Sequence, residues 1–278
     1  MSNGEEPTDS AVGLRGVDLR LGYQGAVVVH DAAITLRPGA VTAVVGPNGS
    51  GKSTLLRALA RLHPVDSGEV LLGDGSSAAG LPAREFARRV TLLAQSRPVP
   101  NGVTVRDVVG YGRHPYRGRW RAVDPDGPAM IAKAMTVTGV TAMADRPIDE
   151  LSGGELQRVW LATCLAQDTP VLLLDEPTTF LDLRYQVELL DLVRELADDH
   201  GVAVGVVLHD LNQAAEVADE VVLLHGGRVR ATGSPHEVFV ESALTEAYGI
   251  TIEVTTDPST GLVSTRPVGR RHRPRITA

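Results

Sequence analysis

Residues 46–54 read Gly-Pro-Asn-Gly-Ser-Gly-Lys-Ser-Thr and satisfy the pattern G-x-x-x-x-G-K-[ST] through Gly46, Gly51, Lys52 and Ser53. The apolar run Val41–Val45 precedes them, and Leu55, Leu56, Leu59, Ala60 and Leu62 follow at helical spacing. Strand, glycine loop and helix is the context this motif requires. Glycines let the loop wrap closely, so the backbone N–H groups of Pro47–Thr54 other than the proline can face phosphate oxygens. The helix start adds a positive dipole end. Lys52 is expected to neutralise β- and γ-phosphate oxygens, and Ser53 to ligate Mg²⁺. Within the loop this makes Gly46, Pro47, Asn48, Gly49, Ser50, Gly51, Lys52, Ser53 and Thr54 the candidate nucleotide-binding residues.

A second constraint lies downstream. Val171-Leu172-Leu173-Leu174 runs into Asp175-Glu176, two carboxylates at the exit of a buried strand. Unpaired burial of charge is costly, so the pair needs a chemical reason. Asp175 is expected to hold Mg²⁺, and Glu176 to orient and deprotonate an attacking water. Between the two motifs, Leu151-Ser152-Gly153-Gly154-Glu155 opens a helix. Ser152 and Glu155 have capping-box spacing, and Gly153–Gly154 expose N–H groups at the helix start.

Around these motifs, periodicity predicts strands alternating with helices, hence a mostly parallel sheet covered on both faces. Residues 12–37 alternate and break at glycines, which predicts antiparallel strands. Further strands are expected at 68–72, 90–94, 171–174, 202–207 and 220–224, with helices at 184–198 and 211–217. A flexible stretch is expected at 73–80. From residue 98 to 151 strand signals vanish; helical stretches at 103–111, 127–139 and 139–145 predict an inserted α-helical subdomain. Ser234-Pro235-His236-Glu237 predicts another helix start. The organisation expected is a disordered tail at 1–11, a core over 12–97 and 152–250, the helical insertion at 98–151, and an extension at 251–278. From Leu262 onward the chain carries five arginines and no acid, which reads as a solvated, mobile tail or a contact for anionic lipid or a membrane partner.

Composition excludes other classes. A net charge of −7 argues against a nucleic-acid binder, and 43% hydrophobic residues suffice for a sizeable core. The single Cys164 cannot form an internal disulfide, which suggests a reducing compartment, and it reads as a small buried hydrophobe. No run approaches the ~20 apolar residues that span a bilayer. The acidic, polar start does not resemble a secretory signal. A cytoplasmic protein that reaches the membrane only through a partner is expected.

These residues together resemble the ATP-binding subunit of an ABC transporter over residues 12–250, and Leu151–Glu155 matches that family's signature sequence. The resemblance implies an α/β P-loop NTPase core of RecA-like type with a mostly parallel sheet, an N-terminal antiparallel β subdomain and an inserted helical subdomain. It implies ATP and Mg²⁺ as ligands, ATP hydrolysis, and a head-to-tail homodimer in which Ser152, Gly153 and Gly154 of one copy bind ATP held by the other. It matches Gln95 to a glutamine that contacts Mg²⁺ or the water, Asp182 to the loop linking the two sites, His209 to a switch histidine that binds the γ-phosphate, and Tyr23 to an aromatic stacked on adenine. Catalysis then rests on Glu176, His209, Gln95 and Lys52, and Mg²⁺ on Ser53, Gln95 and Asp175.

The stretches Gly112–Tyr116, Thr179–Gln186 and Leu208–Ala214 are similar to the ATPases of ferric-siderophore, haem and cobalamin importers, the siderophore group most of all. Departures are Ala94 where that group often has Pro and Glu155 in place of a frequent Gln. Implied partners are integral membrane permeases on the cytoplasmic face and, indirectly, a solute-binding protein. Arg113–Arg121 is basic enough to suggest nucleic acid, but reads as a solvated loop or a docking surface for the permease. A cluster-assembly ATPase of the same family is an alternative. Repair types need a coiled coil that this chain lacks, and a binding module with a dead site is opposed by the intact Lys52, Ser53, Asp175, Glu176 and His209.

Overall fold

Alternating apolar side chains draw the first two strands, β1 (Leu14–Tyr23) and β2 (Ala26–Leu36), into an antiparallel pair with Leu14 opposite Leu36. The computed structural model describes residues 13–95, 99–117, 124–179 and 181–269. The predicted tail at 1–11 lies outside them. The chain continues through β3 (Val41–Val45), α1 (Lys52–Leu59), β4 (Ser67–Leu72), α2 (Ala83–Phe86) and β5 (Val90–Leu93). Then come α3 (Val105–Val109), α4 (Gly127–Val137), α5 (Gly153–Ala166), β6 (Val171–Asp175), α6 (Leu183–Asp198), β7 (Ala203–Val207) and α7 (Leu211–Val217). The last elements are β8 (Glu220–His225), β9 (Arg228–Gly233), α8 (Pro235–Val238), α9 (Glu241–Tyr248), β10 (Ile252–Thr256) and β11 (Val263–Pro267).

Among the described residues the strands form three sheets. The main sheet runs β5-β6-β7-β3-β8-β9, parallel except for β9, and a smaller antiparallel sheet runs β2-β1-β4. Every residue of β3, β6 and β7 is buried, as a parallel sheet covered on both faces demands. Alternate side chains divide the core. Val41, Ala43, Leu172, Leu174, Val204 and Val206 pack beneath α6 and α7. Val44, Leu173 and Val207 face the other way, against Leu55, Leu56 and Leu59 of α1 and the antiparallel sheet. Each such buried leucine contributes roughly 1.5–3 kcal/mol. A third cluster, built from Val105, Val108, Met135, Ile148, Val159 and Ala162, joins α3, α4 and α5. The mostly parallel sheet with an antiparallel N-terminal sheet is as expected.

Three expectations are corrected. The stretch 139–145 forms only a short 3₁₀ turn at Thr141–Met143, because Gly139 takes φ +66° and breaks the helix. Leu262–Pro267 is no mobile tail: β11 pairs in register with β10 and buries Val263 and Thr265. Asn212 of α7 holds it, accepting from the Thr265 N–H (2.7 Å) and donating to the Thr265 carbonyl (3.3 Å). The arginines from 270 on lie outside the described residues, as do Gly118–Arg121 of the basic stretch.

The third correction concerns Arg113, which is no solvated or docking residue. Its side chain is 3% exposed and forks onto Asp124 (2.8 and 3.0 Å), with a further hydrogen bond to the Ala166 carbonyl. Its guanidinium also covers the Tyr116 ring at 3.8 Å. Neighbouring Gly112 permits this, since a Cβ there would stand 2.0 Å from the Thr163 carbonyl oxygen. The Arg113–Asp124 fork keeps Asp124 ionised well below the usual carboxylate range.

Candidate functional site

The phosphate motif forms the loop between β3 and α1, at the carboxyl edge of the main sheet. Gly46 takes φ +144°, and a Cβ there would lie 2.0 Å from the Leu224 carbonyl oxygen. Only glycine fits. Gly51 caps α1 at φ +103° with no side-chain cap, so the first N–H groups of α1 are left to a ligand. Lys52 is buried and folds back over the loop, donating to the Gly46 (2.8 Å) and Pro47 (2.9 Å) carbonyls. Burial lowers its pKa, opposed by the charges of Glu176 and Asp175. Ser50 Oγ is buried without a hydrogen-bond partner at the base of the loop. An anion in this cradle would offset the burial of the Lys52 charge and take up the open N–H groups of α1.

Asp175 ends β6 and is 1% exposed. It accepts from Ser53 Oγ at 2.7 Å and meets the Arg57 guanidinium at 3.5 Å. Burial still raises its pKa, against both of those partners. A hydroxyl and a partly compensated carboxylate side by side are hard oxygen donors of the kind Mg²⁺ takes, and a cation would complete the compensation. Among the described residues no group of three or more His, Cys, Asp or Glu is placed to hold a metal.

Glu176 follows with φ +55°, a conformation rare for a non-glycine residue. Its two oxygens are gripped from opposite sides. Gln95 Nε2 donates to Oε2 at 2.5 Å, and His209 Nε2 lies 2.6 Å from Oε1. Gln95 comes from the end of the edge strand β5 and His209 from the turn after β7, so three strand ends converge on one carboxylate. A cleft of about 380 Å³ opens between them and the loop, lined by Asn48, Gly49, Lys52, Ser53, Gln95, Glu176 and His209 among others.

The signature residues lie elsewhere on the surface. Ser152 caps α5 in a full capping box: Glu155 Oε2 takes both the Ser152 N–H (2.8 Å) and hydroxyl (2.9 Å). Ser152, Gly153 and Gly154 do not line the cleft within the chain. Asp182 caps α6, accepting from the Tyr185 N–H at 3.2 Å. Tyr23, 46% exposed, tilts against His63 with ring centroids 4.4 Å apart and is outside the cleft lining.

Sequence reasoning missed several supporting residues. Arg57 sits four residues after Ser53, on the same face of α1, and that spacing was a usable signal. Gln213 Oε1 accepts from Thr178 Oγ1 (3.1 Å), while its Nε2 donates to Gln186 Oε1 (2.8 Å), tying α7 to α6 and to the segment before it. Tyr248 of α9 buries its hydroxyl near the Gly46 amide without a well-formed hydrogen bond, and burial pushes its pKa up to about 12. No local pattern announced either of these.

Comparison with known proteins gives a consistent result. Residues 29–179 match the family described as ABC transporter. The chain is 42% identical over 266 residues to the ferric enterobactin transport ATP-binding protein FepC of Escherichia coli, covering 95% of this chain and 97% of that protein. It is 44% identical over 263 residues to the hemin import ATP-binding protein HmuV of Thermobifida fusca, covering 94% and 90%. A bacterial ABC transporter cassette solved in dimeric form matches with a TM-score of 0.71 over 80% of this chain and 98% of that one, at 24% identity, a likeness of fold.

Proposed function

Because this chain belongs to the ABC transporter family as an ATP-binding, ATP-hydrolysing subunit, we propose that it energises an importer of iron(III)-siderophore complexes. It works as a head-to-tail homodimer, docked on permease subunits at the cytoplasmic face of the membrane and served indirectly by a solute-binding protein. The observation that carries the enzymatic part is the two-sided grip on Glu176, facing the phosphate loop.

The geometry supports the following roles within the chain, and the family resemblance supplies those across the dimer. Loop amides from Asn48 to Thr54 and the Lys52 ammonium bind the triphosphate, and the exposed Tyr23 ring offers a surface for the base. Ser53 and Asp175, with Gln95, would hold Mg²⁺, which when bound neutralises charge on the phosphate oxygens. Glu176 takes a proton from the attacking water. Gln95 and His209 fix both carboxylate oxygens, so the base is aimed before substrate arrives. Ser152, Gly153 and Gly154 of the second copy complete the γ-phosphate site, and Asp182 positions the helix start beside it. ATP closes the dimer only if these contacts exist in the closed state and not in the open one.

Ferric enterobactin is what one relative is named for, and hemin what another is named for, at similar identity. The stretches Gly112–Tyr116, Thr179–Gln186 and Leu208–Ala214 favour the siderophore reading, with haem the second. The test is reconstitution with the cognate permeases in vesicles. A ferric siderophore, delivered on its binding protein, should accelerate phosphate release and enter the lumen. Stimulation by hemin and none by ferric siderophores would replace the cargo; no phosphate release with Mg²⁺ and ATP would remove the enzymatic reading.

A further inference from the structure

We propose that Arg146 is a positioning residue for the signature turn: it neutralises Glu155 and fixes Ser152 for the ATP of a second copy. This inference rests on the dimer reading above. Arg146 touches both ends of the turn. Its Nη1 donates to Glu155 Oε1 at 3.1 Å, and its Nη2 donates to the Glu150 carbonyl at 3.2 Å. Leu151–Gly154 is thereby bracketed by one guanidinium.

The backbone of Arg146 is itself anchored. Its carbonyl accepts from the Val105 N–H at the start of α3 (3.1 Å), and its N–H donates to the Met143 carbonyl (3.0 Å). Two residues on, the Ile148 N–H reaches the Val103 carbonyl (3.1 Å). The start of α3 is locked in turn by a capping box between Thr104 and Asp107. The guanidinium therefore extends from a fixed point.

The need for it comes from Glu155. A carboxylate one turn inside the helix start is favourable for the helix but repels a phosphate brought to the same end. Glu155 Oε2 also holds the Ser152 hydroxyl proton, which the γ-phosphate must compete for. Arg146 draws charge to Oε1, weakening that competition and cancelling the repulsion. The pair is exposed, with Arg146 44% and Glu155 23% accessible, so it adds little to folding stability. Its effect should fall on dimer closure.

The experiment is a double-mutant cycle in the Glu176→Gln background, reading by light scattering the ATP concentration that gives half-maximal dimer. Arg146→Ala should raise that concentration about tenfold, with melting temperature and the affinity of the monomer for ADP nearly unchanged. Arg146→Lys, which keeps the charge and loses the fork, should fall between. Adding Glu155→Gln to Arg146→Ala should restore dimerisation to within about threefold of Glu155→Gln alone, because no carboxylate is left to neutralise. A merely structural role would weaken dimerisation equally whichever residue stands at 155. That result, or an Arg146→Ala protein that closes normally, overturns the proposal. A Glu176→Gln chain that never dimerises with ATP overturns the dimer reading beneath it.

Discussion

The starts of α1 and α5 both present backbone N–H groups suited to phosphate, yet they are finished in opposite ways. Helix α1 is capped by a glycine, carries no acid in its first turn and is packed into the core on Leu55, Leu56 and Leu59. Helix α5 caps itself through Ser152 and Glu155 on the surface. The first leaves its donors open and needs an anion to be complete. The second already commits its capping hydroxyl to Glu155, so a phosphate that takes the Ser152 hydroxyl must displace a hydrogen bond already made. One end is built to take nucleotide within the chain; the other is suited to engage only when a second copy supplies what outcompetes Glu155.

That contrast can be sharpened or broken by substitution. Glu176→Gln should cut phosphate release by about a thousandfold, the scale of losing a general base, while ATP-driven dimerisation persists. Phosphate release with size-exclusion chromatography reads both. Lys52→Ala should cost roughly a hundredfold, because a buried cation leaves the cradle. Unimpaired turnover would mean that the start of α1 does not hold the triphosphate.

The next effect is on stability. The Tyr248 pKa is raised, so its neutral form is favoured by the fold; that stability is whole below pH ~10 and is lost as pH climbs toward about 12. Two pH units correspond to about 2.7 kcal/mol. Chemical denaturation from pH 9 to 12 should therefore fall less steeply for Tyr248→Phe than for the parent, by up to that amount. Smallest is Ser152→Ala: about a tenfold weaker ATP-driven dimer, or ~1.4 kcal/mol, with nucleotide binding by the monomer intact. Loss of monomer binding in that variant would erase the distinction between the two helix starts.

Legibility divides along the same line. The phosphate loop, the carboxylate pair and the capping box could be read because their chemistry needs given residue types at short fixed spacing. The parallel strands of the main sheet could be read because burial on both faces leaves unbroken apolar runs, whereas the edge strand β9, Arg228–Gly233, has no such run to read. What stayed hidden depends on partners far along the chain. Strand β11 reads as part of a basic tail until Asn212 and β10 are seen beside it. Arg113 reads as surface charge until Asp124 folds onto it. Gln95 and His209 could be placed only by resemblance, since convergence of three strand ends on Glu176 is a property of strand order and not of spacing.

The left-handed backbone at Glu176 has one more implication. A glutamate held at φ +55° gives up on the order of 1 kcal/mol that glycine or asparagine would keep. Selection for thermal robustness with no demand for turnover should thus drift toward Gly or Asn at 176, and the hardiest descendants of this chain would be inert ones.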